Sequence, residues 1–157
     1  MAQQVIIYTD GASSGNPGPG GYGVVLLSGQ HRKELSQGYR LTTNNRMELL
    51  AVIVGLETLK AENCDVTVYT DSKYVADAVN KGWVFSWVKK HFKGKKNPDL
   101  WMRFLKIYPK HKVKFVWVKG HANIPENERC DQLAVSAAAL PNLPIDKGYI
   151  EQQEYQV

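Results

Sequence analysis

The sequence has few cysteines and no long hydrophobic run. Its 157 residues include only Cys64 and Cys130, which lack the spacing of a metal pair or a redox motif. Two cysteines are too few for the disulfide framework of a small secreted protein, so both thiols are expected to be reduced and partly buried. No stretch approaches the roughly 20 apolar residues that span a bilayer, and the N-terminus lacks a signal-peptide pattern. These absences predict a soluble, cytoplasmic protein that does not associate with membranes.

Acidic residues are almost missing from one long segment. Residues 78–125 contain twelve Lys or Arg and a single acid, Asp99, so this segment carries +11, whereas the whole chain carries +5. The remainder must therefore carry −6. Positive charge alone is often only a solvated surface, but a basic block beside an acidic remainder favours a polyanionic partner. Nucleic acid is the first candidate.

Nothing in the sequence divides the chain into two domains, because it has no repeat, low-complexity tract or linker. Its length lies near the commonest size of one domain, and 43% of its residues are hydrophobic, which is enough for a core. We expect one domain at residues 1–141. Residues 142–157 are a polar C-terminal tail without a clear periodic pattern, for which we predict no regular structure and for which disorder is an open alternative.

Hydrophobic periodicity predicts a mixed α/β fold. The Gly- and Pro-rich residues 11–21 are expected to form a loop, and the spacing of three and four between apolar residues predicts a long amphipathic helix from 43 to 59. The predicted order is strands at 5–10, 23–27 and 31–41, that helix, a strand at 66–71, helices at 72–79, 83–92 and 97–108, a strand at 113–118, and a helix at 128–140. This order predicts a five-stranded mixed sheet, three antiparallel strands plus two parallel, flanked by helices.

Two of the predicted strands end in the same tripeptide, Tyr-Thr-Asp. Asp10 and Asp71 therefore stand where a strand ends, since strand interiors disfavour Asp. If the strands are neighbours in one sheet, the two carboxylates meet at one edge, and their repulsion requires a cation or a proton. Either Asp alone could instead cap the segment that follows it.

Two further acids, Glu48 and Asp131, lie near the starts of predicted helices. An acid in the first turns of a helix is favoured by the helix dipole, so each position also has a purely structural interpretation. However, both helices can pack beside the strand ends that carry Asp10 and Asp71. Four carboxylates would then face one another, which is an arrangement that hard divalent cations neutralise well.

Five short motifs occur in a fixed order along the chain: Tyr8–Gly11 with Gly15–Gly18, Thr42–Leu49, Tyr69–Ser72, Trp117–Ala122 and Glu128–Asp131. Together they resemble the motifs of bacterial type 1 ribonuclease H, ribonuclease HI, over nearly the whole chain except the tail. The resemblance implies the ribonuclease H-like fold and an endonuclease that hydrolyses the RNA strand of RNA–DNA hybrids, leaving 3′-hydroxyl and 5′-phosphate ends. It also implies two Mg²⁺ ions per site, with Mn²⁺ able to substitute, and a monomer without an obligate protein partner.

The same resemblance assigns roles to the acids and to one histidine. It implies that Asp10, Glu48, Asp71 and Asp131 are the metal ligands and that Asp10 bridges the two ions. It also implies that His121 assists proton transfer and product release, a role that suits an imidazole near neutral pH. Without the resemblance, a single loop histidine is more often an ordinary surface residue than a catalytic one.

Substrate contacts follow from the resemblance in two groups. Contacts near the cut, where the RNA 2′-hydroxyl can be recognised, are implied for Gly11, Ala12, Asn16, Asn44 and Glu48. Contacts to the DNA strand or to its phosphates are implied for Thr43, Asn45, Trp83, Trp101, Lys89, Lys90, Lys93, Lys95 and Lys96. Structural alternatives remain open, because Thr43 and the asparagines would cap the helix in any case and Trp101 could belong to the core. The chain departs from the family pattern at Lys73, at Ser13 and in a short loop between residues 90 and 98.

Two other functions are compatible with parts of this pattern. A hybrid-binding module that does not cleave would need only the basic surface and the aromatic residues. A DNA-cutting relative, such as an integrase or a junction resolvase, would share the carboxylates of the sheet. The four acids argue against the first alternative, and the Gly-rich loop after Asp10 and the asparagines at 44 and 45 argue against the second.

Overall fold

The chain folds into a five-stranded mixed sheet with helices on both faces. The computed structural model describes residues 2–120 and 123–154. Strand β1 (Gln4–Ser13) pairs antiparallel with β2 (Gly18–Ser28), and β2 pairs antiparallel with β3 (His31–Thr42). On its other side β1 pairs in parallel with β4 (Asp65–Thr70), which pairs in parallel with β5 (Lys112–Trp117). The resulting order, β3-β2-β1-β4-β5, places β1 at the centre and confirms the predicted sheet.

The helices of the described residues connect and cover these strands. They are α1 (Asn44–Glu57), α2 (Lys73–Asn80), α3 (Trp83–Lys89), α4 (Pro98–Ile107) with a 3-10 turn at Tyr108–Lys110, α5 (Pro125–Ala138) and α6 (Lys147–Glu154). None of them is both long enough and apolar enough to cross a membrane. Both cysteines are buried free thiols, as predicted.

Helices α1 and α5 approach the sheet unusually closely because glycines lie beneath them. A Cβ at Gly11 would lie only 2.4 Å from the backbone nitrogen of Glu48 in α1, and one at Gly23 would lie 2.2 Å from the carbonyl oxygen of Cys130 in α5. Gly23 pairs with Asp10, the neighbour of Gly11, so the two glycines point to opposite faces of the sheet. The glycines therefore allow α1 and α5 to pack closely on opposite faces of the sheet, both beside Asp10 and Gly11 of β1.

Side-chain caps fix where two helices begin. The Thr43 hydroxyl accepts a hydrogen bond from the backbone nitrogen of Arg46 at 3.3 Å and caps α1. The Ser72 hydroxyl accepts one from the backbone nitrogen of Val75 at 3.2 Å and caps α2 directly after Asp71. The end of β4 and the start of α2 thus hold Asp71 between two ordered elements.

Several predicted boundaries differ from the observed ones. Strand β2 begins at Gly18 and not at Gly23, because residues 18–22 already pair with β3 and with the end of β1, which extends to Ser13. Helix α5 begins at Pro125, three residues before the predicted start, since proline is well suited to the first turn of a helix. Helix α3 ends at Lys89 and not at 92, and the two residues His91 and Phe92 have positive φ values of 51° and 56°.

The largest difference lies in the tail, where no regular structure was predicted. Helix α6 occupies Lys147–Glu154, and Tyr149 within it is only 5% exposed. The helix is held by Asp146, whose carboxylate accepts hydrogen bonds from Arg46 and from the Thr42 hydroxyl, the latter at 2.7 Å. These partners are about one hundred residues away in the sequence, so local periodicity gave no sign of them.

Candidate active site

Three acidic side chains meet where β1, which continues to Ser13, runs beside the carboxyl end of β4. The parallel register pairs Tyr8 with Tyr69, and Asp10 and Asp71 follow each tyrosine by two residues. Glu48 reaches the same place from α1. One carboxylate oxygen from each of Asp10, Glu48 and Asp71 lies within 4.8 Å of the other two. The expected convergence of acids at this edge of the sheet is therefore observed.

This crowding changes the protonation of the cluster. Burial raises the pKa of the Asp10 carboxyl to about 7, and the Asp71 charge adds to the rise. The backbone N–H of Gly11, which donates to Asp10 Oδ1 at 2.9 Å, opposes it. Burial, followed by the charge of Asp10, raises the pKa of Glu48 well above its ordinary range.

The cluster has the properties of a site for a hard divalent cation. Oε2 of Glu48 is buried without a hydrogen-bond partner, so a carboxylate oxygen that would normally be satisfied is left facing the other acids. Such cations are bound by carboxylate oxygens and replace the protons that the cluster otherwise retains. Asp10, Glu48 and Asp71 therefore fit a metal centre by their geometry, their burial and their chemistry.

Asp131 lies in the same cleft but not in the tight cluster. The cleft has a volume of about 420 Å³, and Asp131 lines it from α5 together with the three other acids. Its charge contributes to the raised pKa of Asp10, although it is not among the oxygens that lie within 4.8 Å of one another. The structure thus places all four predicted acids around one cavity, three of them with carboxylate oxygens within 4.8 Å of one another.

Asn127 is a cleft residue that the sequence analysis missed. Its Oδ1 atom is buried without a hydrogen-bond partner, as is the Glu48 oxygen, and its side chain lines the same cavity. The only signal was its position next to the Glu128–Asp131 motif. An asparagine in a segment predicted as a loop carries no chemical signature of its own, so this signal was not sufficient.

Trp117 and Lys73 form a pair beside the acids. The indole N–H of Trp117 donates to the backbone carbonyl of Asp71 at 3.0 Å, which fixes the chain at the end of β4. The ammonium of Lys73 lies 5.0 Å from the centre of the Trp117 ring, within range of a cation–π interaction. Lys73, which departs from the family pattern, thus covers an aromatic ring that holds the backbone of one acid.

A second cavity collects most of the predicted DNA-strand residues. This groove has a volume of about 680 Å³, and its lining includes Asn16, Thr43, Asn45, Trp83, Lys95 and Lys96. Asn16 also accepts a hydrogen bond, through its side-chain oxygen, from the backbone nitrogen of Asn44 at 3.0 Å. Asn44 and Gly11 line the acidic cleft, so this bond links the lining of the groove to the lining of the cleft.

Other predicted contact residues lie elsewhere. Trp101 is completely buried, packs edge-on against Phe104 and donates its indole N–H to the Tyr74 hydroxyl at 2.8 Å. The prediction of a DNA-facing Trp101 is therefore wrong, because the apolar side of α4 turns this ring into the core. Four further predicted residues line neither cavity: Ala12, Lys89, Lys90 and Lys93. His121 lies outside the described residues.

Comparison with known protein families gives a match over most of the chain. The family described as RNase H matches residues 2–139. A ribonuclease H of Desulforamulus reducens is 64% identical over 149 residues, which are 92% of this chain and 93% of that protein. A ribonuclease H of Klebsiella pneumoniae is 53% identical over 155 residues, which are 96% of this chain and 98% of that protein.

Solved structures show the same fold. LC9-RNase H1, a type 1 RNase H with the type 2 active-site motif, is 32% identical with a TM-score of 0.79, over 88% of this chain and 73% of that one. LC11-RNase H1, solved in complex with an RNA/DNA hybrid, is 29% identical with a TM-score of 0.64, over 92% of this chain and 99% of that one.

Proposed function

The chain belongs to the RNase H family, and on this premise we propose that it is an endonuclease that hydrolyses the RNA strand of RNA–DNA hybrids. The observation that carries the proposal is the cluster of Asp10, Glu48 and Asp71, whose carboxylate oxygens lie within 4.8 Å of one another. A module that only binds nucleic acid has no need for three carboxylates this close together, because their repulsion lowers its stability and weakens its attraction for phosphate.

We propose Mg²⁺ as the cofactor, with two ions per site and with Mn²⁺ able to substitute. A pair of divalent cations supplies activation of the attacking water and stabilisation of the leaving oxygen in phosphodiester hydrolysis. Asp10, Glu48 and Asp71 would hold them, and Asp131 would complete the set from α5. The close contact of Gly11 with α1 fixes the position of Glu48, and Trp117 fixes the backbone of Asp71, so the acids are preorganised.

The two cavities suggest which surface of the protein each strand of a hybrid contacts. The scissile strand must lie in the acidic cleft, where Gly11 and Asn44 stand beside the acids and can contact a ribose 2′-hydroxyl. The partner strand then lies in the groove, where the ammonium groups of Lys95 and Lys96 attract its phosphates. We assign the RNA strand to the cleft and the DNA strand to the groove.

We further propose that the enzyme works as a cytoplasmic monomer without an obligate protein partner. All residues assigned above to the cleft and the groove come from a single chain, so one copy contains both binding surfaces. Size-exclusion chromatography with light scattering, with and without bound hybrid, tests this part of the proposal directly.

The decisive experiment compares three labelled duplexes in one Mg²⁺ buffer: RNA–DNA hybrid, double-stranded RNA and double-stranded DNA. We expect cleavage of the hybrid alone, confined to the RNA strand, with loss of activity in EDTA. The control is Asp71→Asn, which keeps the side-chain size and removes one carboxylate of the cluster. Binding of hybrid without cleavage would support the non-cleaving alternative, and cleavage of double-stranded DNA would support the DNA-cutting one.

A further inference from the structure

The C-terminal helix α6 forms one side of the groove. It begins at Lys147, beyond the residues 2–139 that the family match covers. Tyr149, Gln152 and Gln153 nevertheless line the same cavity as the lysines and asparagines described above. A segment outside the residues that the family model matches therefore borders the surface assigned to the DNA strand.

Helix α6 is fixed in this position by buried charge. Arg46, which is only 1% exposed, donates from Nε to Asp146 Oδ2 at 2.8 Å and from a terminal nitrogen to Asp146 Oδ1 at 3.0 Å. The same Arg46 pairs with Asp99 at 2.7 Å. The backbone nitrogen of Tyr149 donates to Asp146 Oδ1 at 3.3 Å, so the aspartate that anchors the helix also caps it. Helix α6 is thus firmly attached to α1 through Arg46.

The side chains of α6 that line the groove present amide groups. The side-chain oxygen of Gln152 accepts a hydrogen bond from the backbone nitrogen of Asn97 at 2.6 Å. This bond occupies the Gln152 oxygen at the start of α4, so the Gln152 amide nitrogen remains to donate a hydrogen bond to an acceptor in the groove. Gln153 follows it on the helix and is exposed. Two neighbouring amide donors can therefore reach the same occupant.

The remaining lining indicates what that occupant is. Lys95 and Lys96 stand in the groove, and within the described residues no Asp or Glu lines the cavity. The Trp83 side chain is exposed, and the ammonium of Lys81 lies 5.1 Å from the centre of its ring, which adds a further cation beside the aromatic surface. Cationic groups, amide donors and a flat aromatic surface are the combination that binds a nucleic acid backbone without reading its sequence. We propose that Gln152 and Gln153 of α6 contact the phosphodiester backbone of the DNA strand, which makes the C-terminal helix part of the substrate-binding surface.

This inference rests on the proposed function, and its test is the sign of the change in KM. Gln153→Glu places a negative charge against the DNA phosphates and should raise the KM for hybrid roughly 3- to 10-fold with kcat unchanged, as expected for loss of one contact to a charged group. Gln153→Lys should lower KM. Opposite shifts from one position cannot arise from a general loss of folding.

The matched control is Lys147→Gln, which makes the same change of one charge on the same helix. Lys147 is exposed and does not line the groove. The KM of the Lys147→Gln variant for hybrid should therefore change less than about 2-fold if Gln153 acts through a local contact and not through long-range electrostatics. Equal shifts for Gln153→Glu and Lys147→Gln would overturn the inference, as would no shift for either Gln153 variant.

A second substrate identifies the strand. With a hybrid whose DNA strand carries uncharged methylphosphonate linkages, the penalty of Gln153→Glu should disappear, because the repelled charges are gone. A penalty that persists on this substrate would overturn the assignment to the DNA strand. Failure of the unmodified protein to cleave any hybrid would instead overturn the proposed function, so the two failures can be distinguished.

Discussion

Replacing Asp10 with asparagine should make the cation-free protein more stable while it abolishes cleavage. The folded protein holds the pKa of Asp10 at about 7, compared with an ordinary value of 3.8. The folded state therefore binds a proton more tightly than the unfolded chain does. This tighter proton binding stabilises the folded state fully below pH 4. The stabilisation is lost as the pH rises through about 7, where the Asp10 carboxyl must ionise among other acids.

The size of the effect follows from this difference. Each pKa unit is equivalent to about 1.4 kcal/mol, so the cost of ionising Asp10 has an upper limit of roughly 4 kcal/mol at pH 8. Because Asp10 and Glu48 share protons, part of this cost stays in the variant with Glu48. We expect Asp10→Asn to gain about 2 kcal/mol at pH 8, or about 4–8 °C in Tm for a domain of this size.

The assay is urea unfolding followed by tryptophan fluorescence in EDTA from pH 4 to pH 8.5. The gain of Asp10→Asn over the unmodified protein should be close to zero at pH 4 and should grow through neutral pH. Glu62→Gln is the control, because it removes an exposed acid from outside the cluster and should not reproduce this gain. A gain that does not depend on pH, or a loss of stability at pH 8, would refute the reasoning. Full cleavage activity of Asp10→Asn would refute the assignment of the metal ligands.

Three further predictions concern other parts of the fold. Asp146→Asn leaves the buried Arg46 without its second carboxylate and should cost roughly 3–5 kcal/mol in urea unfolding. Gly11→Ala places a methyl group against the backbone of Glu48 and should lower stability by at least about 2 kcal/mol in the same assay, or prevent folding. His121→Ala should keep cation binding, measured by calorimetry, but should turn over hybrid more slowly.

Each of these predictions has its own contrary result. If Asp146→Asn lowers the free energy of unfolding by less than about 1 kcal/mol, the Arg46–Asp146 ion pair contributes no more stability than an exposed one. Gly82→Ala is the control for Gly11→Ala, since Gly82 has open space around it and its positive φ of 74° makes only backbone strain a cost. Equal turnover of His121→Ala across neutral pH would remove His121 from the mechanism.

The parts of the molecule that the sequence predicted well are those with local signals. The repeated Tyr-Thr-Asp gave Asp10 and Asp71, although only Asp71 follows the end of its strand, because β1 continues to Ser13. The apolar spacing gave α1 and with it the position of Glu48. Both signals depend on periodicity within a few residues, which survives whatever the tertiary packing is. The parallel pairing of β4 with β5 then follows from few alternatives, because only helices connect these two strands.

The parts that it predicted poorly depend on distant partners. Helix α6 owes its position to the contact of Asp146 with Arg46, and neither residue differs in the sequence from an ordinary exposed charge. The burial of Trp101 depends on which side of α4 meets the core, and an aromatic residue on an amphipathic helix fits either side. The early start of β2 depends on its pairing with the end of β1 and with β3, which no local rule reveals for a Gly-rich segment.

The central position of β1 also affects how the protein is made. Its first neighbour, β2, follows at once in the sequence, but its second, β4, ends only at Thr70, so a growing chain carries β1 with one open edge until that point. Asp71 joins Asp10 only when this edge closes. The affinity of a partly synthesised or refolding chain for divalent cations therefore reports on the parallel pairing together with the docking of α1, which carries Glu48, and not on the formation of the β1–β2 hairpin.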